Sequence, residues 1–185
     1  MRWSRRRLVK TGGVLAAASA VGALIRPAHG RAQACDAVKR ITLKNVHTPE
    51  SLDLPFRQGE AYVPDALAAI RVLLRDYRTG EQHAIDPALL DYLFDVAQIV
   101  GVDPVFSVIS GYRSPQTNAM LHERSGGVAS HSLHMEGRAI DVRLAGVDCA
   151  DLADKALGMQ RGGVGYYRRS DFVHLDTGRF RTWRG

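Results

Sequence analysis

His134 and Asp141 lie seven residues apart in Ser132-Leu133-His134-Met135-Glu136-Gly137-Arg138-Ala139-Ile140-Asp141, and a second imidazole follows in Phe172-Val173-His174-Leu175-Asp176. Two imidazoles and one carboxylate are a donor set for Zn²⁺, and three protein ligands with a fourth position open is the catalytic rather than the structural arrangement. Water at such an ion ionises near neutral pH. The chemistry also calls for a proton acceptor and a cation to meet a developing oxyanion. Asp171, three residues before His174, is a candidate for the first role. Arg113, in the tight Gly111-Tyr112-Arg113-Ser114-Pro115 turn, is a candidate for the second, its guanidinium suited to a carboxylate or an oxyanion. Each residue also has a plain structural reading. His134 and Asp141 can be cap and turn residues, Asp141 a partner of Arg138 or Arg143, Asp171 a turn residue, and Arg113 a loop brace. Types and spacing leave both readings open.

Positions 134, 141 and 174 serve one site only if the fold brings them together. Residues 139–144 read as a strand, and a period of two puts Ala139, Asp141 and Arg143 on one face. The same parity in 172–176 sets His174 opposite Val173 and Leu175. As neighbours, these strands would hold Asp141 and His174 side by side, with His134 on the loop that feeds the first of them. Gly137, without a side chain, lets that loop turn sharply. Further strands are read over 40–46, 105–109 and 162–167. Helices are read from Pro64, with Leu67, Ile70, Leu74 and Tyr77 on one face, and from Asp86-Pro87, with Leu89, Leu90, Leu93, Phe94 and Ala97 facing in. Two more helices are read over about 115–123 and 149–159. Helices come first and strands dominate the second half, which predicts an α+β fold: a small antiparallel sheet flanked by helices.

The first 34 residues have a different character. A basic start, an apolar run of 15 residues from Thr11 to Ile25, and Ala32-Gln33-Ala34 form the pattern of a cleaved secretory signal. The run is short of the roughly 20 residues that span a bilayer. Ser4-Arg5-Arg6-Arg7-Leu8-Val9-Lys10 resembles a twin-arginine export signal. Seven of the 25 basic residues and none of the 19 acidic ones fall in this segment. Residues 35–185 therefore hold 18 against 19, a formal charge of −1, which argues against a nucleic-acid partner. With no composition break, 35–185 reads as one domain, expected to be monomeric and periplasmic. Cys35 and Cys149 are an even pair in an exported chain and are candidates for a disulfide.

The string Ser132-x-His134-x-x-Gly137-x-Ala139-x-Asp141 with Asp171-x-x-His174 resembles the zinc D-alanyl-D-alanine metallopeptidases and their murein endopeptidase relatives, a superfamily shared with lysostaphin-type enzymes and the hedgehog signalling domain. Ser110-Gly111-Tyr112-Arg113-Ser114-Pro115 and Gly162-Gly163-Val164-Gly165-Tyr166-Tyr167 bring it nearest to the murein endopeptidase K group. The likeness runs from about Arg40 to the C-terminus. It implies one Zn²⁺ held by His134, Asp141 and His174, Asp171 as general base, Arg113 on the substrate or its tetrahedral intermediate, and Ser132 hydrogen-bonded near the site. His131 stands outside the string and is a candidate for a hydrogen-bond donor behind a ligand, a substrate contact or a surface residue. The implied activity is hydrolysis of a peptide bond in peptidoglycan, by an endopeptidase or a carboxypeptidase. The hedgehog branch adds a third possibility, a non-catalytic wall-binding module.

Overall fold

The computed structural model describes residues 37–125 and 128–185. The expected export signal and its twin-arginine motif lie outside them. So does Cys35, and with it the expected pairing to Cys149. Among the described residues, no helix is long and apolar enough to cross a membrane.

The elements in chain order are β1 (Val38–Asn45), β2 (Ser51–Gln58), β3 (Ala61–Tyr62), α1 (Pro64–Leu73), α2 (Pro87–Val100), β4 (Val105–Ser110), α3 (Pro115–Ser125), β5 (Ala139–Leu144), α4 (Cys149–Met159), β6 (Gly163–Tyr167), β7 (Phe172–Asp176) and β8 (Arg181–Arg184). The strands form one eight-stranded sheet in the order β3-β2-β1-β4-β5-β7-β6-β8. The fold is α+β as expected, and most pairings are antiparallel. β1 with β4 and β6 with β8 run parallel, so the sheet is mixed and larger than the sequence suggested.

Local chemistry sets the helix ends. Asp86 caps α2 by accepting from the Ala88 amide at 3.0 Å, Pro87 occupies the first turn, and Gly101 closes the helix at φ 85°. Asp148 caps α4 in the same way, at 2.7 Å from the Ala150 amide. The first helix stops at Leu73 instead of continuing to Tyr77. Its extension is preempted by Asp76, whose carboxylate accepts from the Arg78 amide and curls the chain into a turn.

The alternating strands put Ile41, Leu43, Phe56, Phe106, Val108, Ile140, Val142, Leu144, Val173 and Leu175 on one face, buried against α1, α2 and α4. Full burial of each large side chain stabilises by about 1.5–3 kcal/mol. That is enough for the opposite face to carry polar groups. On that face the register forms a row. Asp141 pairs with His174, His174 with Gly165, and Gly165 with Trp183. Parity thus delivers the expected acid and imidazole to adjacent positions.

Candidate metal centre and active-site cleft

Three ligand-type side chains converge. His134 sits in a 3₁₀ turn, Leu133–Glu136, that Ser132 opens by accepting from the His134 amide at 3.4 Å. Gly137 ends the turn at φ 65°, the left-handed region that favours glycine, and a Cβ there would collide with the Ala84 carbonyl. Asp141 and His174 stand opposite each other on β5 and β7. His134 Nε2 is 3.3 Å from Asp141 Oδ1 and 3.2 Å from His174 Nδ1, and His174 Nδ1 is 2.9 Å from Asp141 Oδ1. All three residues are buried, and one ligand atom from each lies within 4.8 Å of the others.

The far side of each ring fixes which nitrogen faces the centre. His134 Nδ1 donates to the Gly111 carbonyl at 2.7 Å, so Nε2 keeps its lone pair. Burial pushes the His134 pKa down, only partly offset by Asp141, which keeps this ring neutral. At His174 burial acts in the same direction, but hydrogen bonds with Asp141 and Asp176 outweigh it and raise the pKa. Burial alone would raise Asp141, yet the two imidazoles hold it well below the ordinary carboxylate range. Two nitrogen donors and an ionised carboxylate oxygen, oriented by partners on their outer sides, fit a divalent metal.

Arg113 is held over this cluster by the turn that carries it. The Tyr112 amide donates to the Leu74 carbonyl at 2.8 Å and the Arg113 amide to the His134 carbonyl at 3.1 Å. Asp76, 2 % exposed, accepts from the Ser114 amide at 2.9 Å and from its hydroxyl at 2.7 Å. Burial opposes ionisation of Asp76, but bonds from Thr117, Ser114 and Arg78 prevail and its pKa is lowered. Asp76→Asn is therefore expected to cost about 2–4 kcal/mol at neutral pH, because buried donors lose a charged acceptor. A carboxyl lowered in the folded state adds stability above its unfolded pKa of about 3.9 and loses it as pH falls through the folded value. Urea melts of wild type and variant should differ most at neutral pH and converge in acid. A gap that stays constant with pH would assign the loss to shape alone.

The cleft around these residues has a volume of about 450 Å³. Arg113, His131, Ser132, His134, Asp141 and His174 line it, with Tyr167, Phe172 and Trp183 as an aromatic wall. His131 is exposed at its mouth, its Nδ1 3.2 Å from the Ser130 hydroxyl. Asp171 is placed elsewhere. It stands in the turn before β7 at φ 52°, with its side chain 69 % exposed. Its carboxylate meets Arg143 Nε at 3.2 Å and the buried thiol of Cys149. Asp171 is not among the residues that line the cleft. Burial, then Asp171, pushes the Cys149 thiol up to about 12.

Two residues of the centre lie outside the sequence motifs. Asp176, 0 % exposed, has its Oδ2 3.0 Å from His174 Nε2, and Arg181 pairs with it at 2.6 Å. The signal was present for the first, since His174-x-Asp176 shares one strand face. It was absent for Arg181, which arrives on a strand only four residues long.

The family model for peptidoglycan L,D-endopeptidase MepK matches residues 33–183. Peptidoglycan L,D-endopeptidase MepK of Escherichia coli (strain K12) is 42% identical over 181 residues, covering 97% of both chains. The probable peptidoglycan L,D-endopeptidase MepK of Haemophilus influenzae is 38% identical over 184 residues, 98% of this chain and 96% of that one. With a buried His-Asp-His centre beneath a substrate-sized cleft and a likeness spanning nearly its whole length, the chain belongs to the MepK family of peptidases.

Proposed function

We propose that this peptidase is a periplasmic L,D-endopeptidase of peptidoglycan, acting as a monomer with one Zn²⁺ held by His134 Nε2, Asp141 Oδ1 and His174 Nδ1. The observation that carries the reading is the donor set itself, with two imidazole nitrogens and a carboxylate oxygen turned to one point beside a buried arginine. A zinc ion there supplies Lewis acidity, acidifying water and polarising a carbonyl oxygen. The chain's own residues do the rest. The aromatic wall of Tyr167, Phe172 and Trp183 excludes water from one side of the scissile bond, Ser132 and His131 meet the substrate at the other, and Arg113 steadies negative charge on its carbonyl oxygen. The relatives' names favour internal cross-link cleavage over removal of a terminal residue. The monomeric state is checked by size-exclusion chromatography.

The test is digestion of purified peptidoglycan and of isolated cross-linked muropeptides, followed by chromatography and mass spectrometry. Conversion of cross-linked dimers to monomers, stopped by chelator and restored by Zn²⁺, is the expected result. Loss of a terminal residue alone would mean a carboxypeptidase; binding without products would mean a wall-binding module. Proton transfer by Asp171, which the resemblance implies, requires its carboxylate to leave Arg143 and Cys149. Asp171→Asn with metal retained measures that contribution, about 10²-fold or more if the carboxylate acts and near none if it only anchors the turn.

A further inference from the structure

His174 turns its two ring nitrogens to different partners. Nδ1 faces Asp141 Oδ1 and His134 Nε2, while Nε2 lies 3.0 Å from Asp176 Oδ2 on the other side. Asp176 is saturated with donors. Its Oδ1 accepts from the Gly163 amide at 3.0 Å, the Gly178 amide at 2.8 Å and Arg181 Nη1 at 2.9 Å. Its Oδ2 accepts from Arg181 Nη2 at 2.6 Å. A carboxylate so surrounded only accepts, so Nε2 carries a proton, and Nδ1, which faces Asp141 and His134, is the nitrogen left for a metal. The opposite tautomer would set a nitrogen lone pair against a buried carboxylate oxygen.

β8 can supply this contact because β6 carries glycines at 163 and 165, two apart and on one face. β8 runs parallel to β6, pairing Gly163 with Arg181 and Gly165 with Trp183. A Cβ at 163 would strike the Asp176 carboxylate and the Arg181 guanidinium, and one at 165 would strike the Trp183 indole. With hydrogen atoms there instead, both β8 side chains reach across β6 to β7. Arg181 closes on Asp176, and the Trp183 ring comes to 5.1 Å from that of His174.

We propose that Asp176 and Arg181 are positioning residues for the metal centre: their ion pair behind His174 fixes its tautomer and ring plane, so that Nδ1 is the nitrogen offered to the metal. This rests on the reading of His134, Asp141 and His174 as a metal centre. Carboxylate or carbonyl partners behind a ligating imidazole typically govern metal affinity by 10- to 100-fold. β8 is then part of the centre, although it contributes no ligand.

The experiment uses the purified protein with Zn²⁺ and Co²⁺ as probes. Asp176→Asn, Arg181→Gln and Arg181→Lys are compared with wild type by chelator competition for Zn²⁺ and by the visible absorption of the Co²⁺ form, with circular dichroism to verify folding. Asp176→Asn is expected to bind Zn²⁺ about 10- to 100-fold more weakly and to shift the Co²⁺ bands. Arg181→Gln should weaken binding several-fold, and Arg181→Lys should recover most of that loss because the charge returns. Arg181 is partly exposed on an edge strand, so its variants fold even if the wholly buried Asp176→Asn does not. Folded Arg181→Gln with wild-type Zn²⁺ affinity and an unchanged Co²⁺ spectrum overturns the inference alone. A wild-type protein that takes up neither ion overturns it together with the metal-centre reading.

Discussion

His174→Ala is expected to abolish metal-dependent stabilisation and to lower peptidoglycan hydrolysis about 10³-fold or more. Removing a metal's charge stabilisation from a transition state costs several kcal/mol, and each 1.36 kcal/mol is a factor of ten in rate. His174 has no substitute, because Asp141 and His134 can offer only two of the three donors in the buried cluster. The thermodynamic counterpart is separable from turnover. Zn²⁺ at about 100 times its dissociation constant should stabilise the wild type by about 2.7 kcal/mol. For a domain of this size that raises Tm by about 5–10 °C. The variant's Tm should not respond to Zn²⁺ at all. Thermal melts with chelator and with added Zn²⁺ check this, and a wild type indifferent to both would defeat the metal reading without any activity assay.

The centre was legible because strand parity is a strong constraint. Once 139–144 and 172–176 are strands, Asp141 and His174 each have only two faces to choose from, and burial of Ile140, Val142, Val173 and Leu175 decides the choice. The rule sets no face for Asp171, which lies in the turn before the strand and pairs there with Arg143. The left-handed φ at Asp171 belongs to that turn, and no sequence period predicts where such a residue directs its side chain. β2 was hidden by Pro55, which breaks an otherwise alternating Leu52, Leu54 and Phe56. The ladder tolerates it because Pro55 faces Arg40, where the register shifts. β3 and β8 were invisible for a different reason. Two and four residues carry no period, and their positions depend on partners distant in the chain. Arg181 therefore entered the site only through the fold, although the glycines at 163 and 165 that admit it are visible in Gly162-Gly163-Val164-Gly165.

Arg113→Ala is expected to lower kcat/KM by about 10²–10³-fold, the usual cost of losing one preorganised oxyanion partner, while leaving Zn²⁺ bound and the fold intact. The guanidinium is only 8 % exposed, yet no partner holds it closely. Nη2 lies 3.6 Å from Asp141 Oδ2 and 3.3 Å from the Ser110 hydroxyl, Nη1 lies 3.4 Å from Asn118 Oδ1, and Nε has no partner. Burial, offset in part by Asp141, lowers its pKa, the mark of a cation held in a poorly solvating place. A brace that existed for stability would have short, complete hydrogen bonds, as Asp76 and Asp176 do. Arg113 instead has donors without close partners, as the proposed contact with an anion of the substrate requires. Two outcomes separate these roles. If Arg113 serves the reaction, Arg113→Ala keeps or raises Tm, since a buried and poorly paired charge is removed, and the loss falls mainly on kcat. Arg113→Lys should then restore little, because an ammonium cannot reproduce the planar fork. If the variant melts several degrees lower and retains kcat/KM within tenfold, Arg113 is a structural brace and the charge on the carbonyl oxygen must be met by another group.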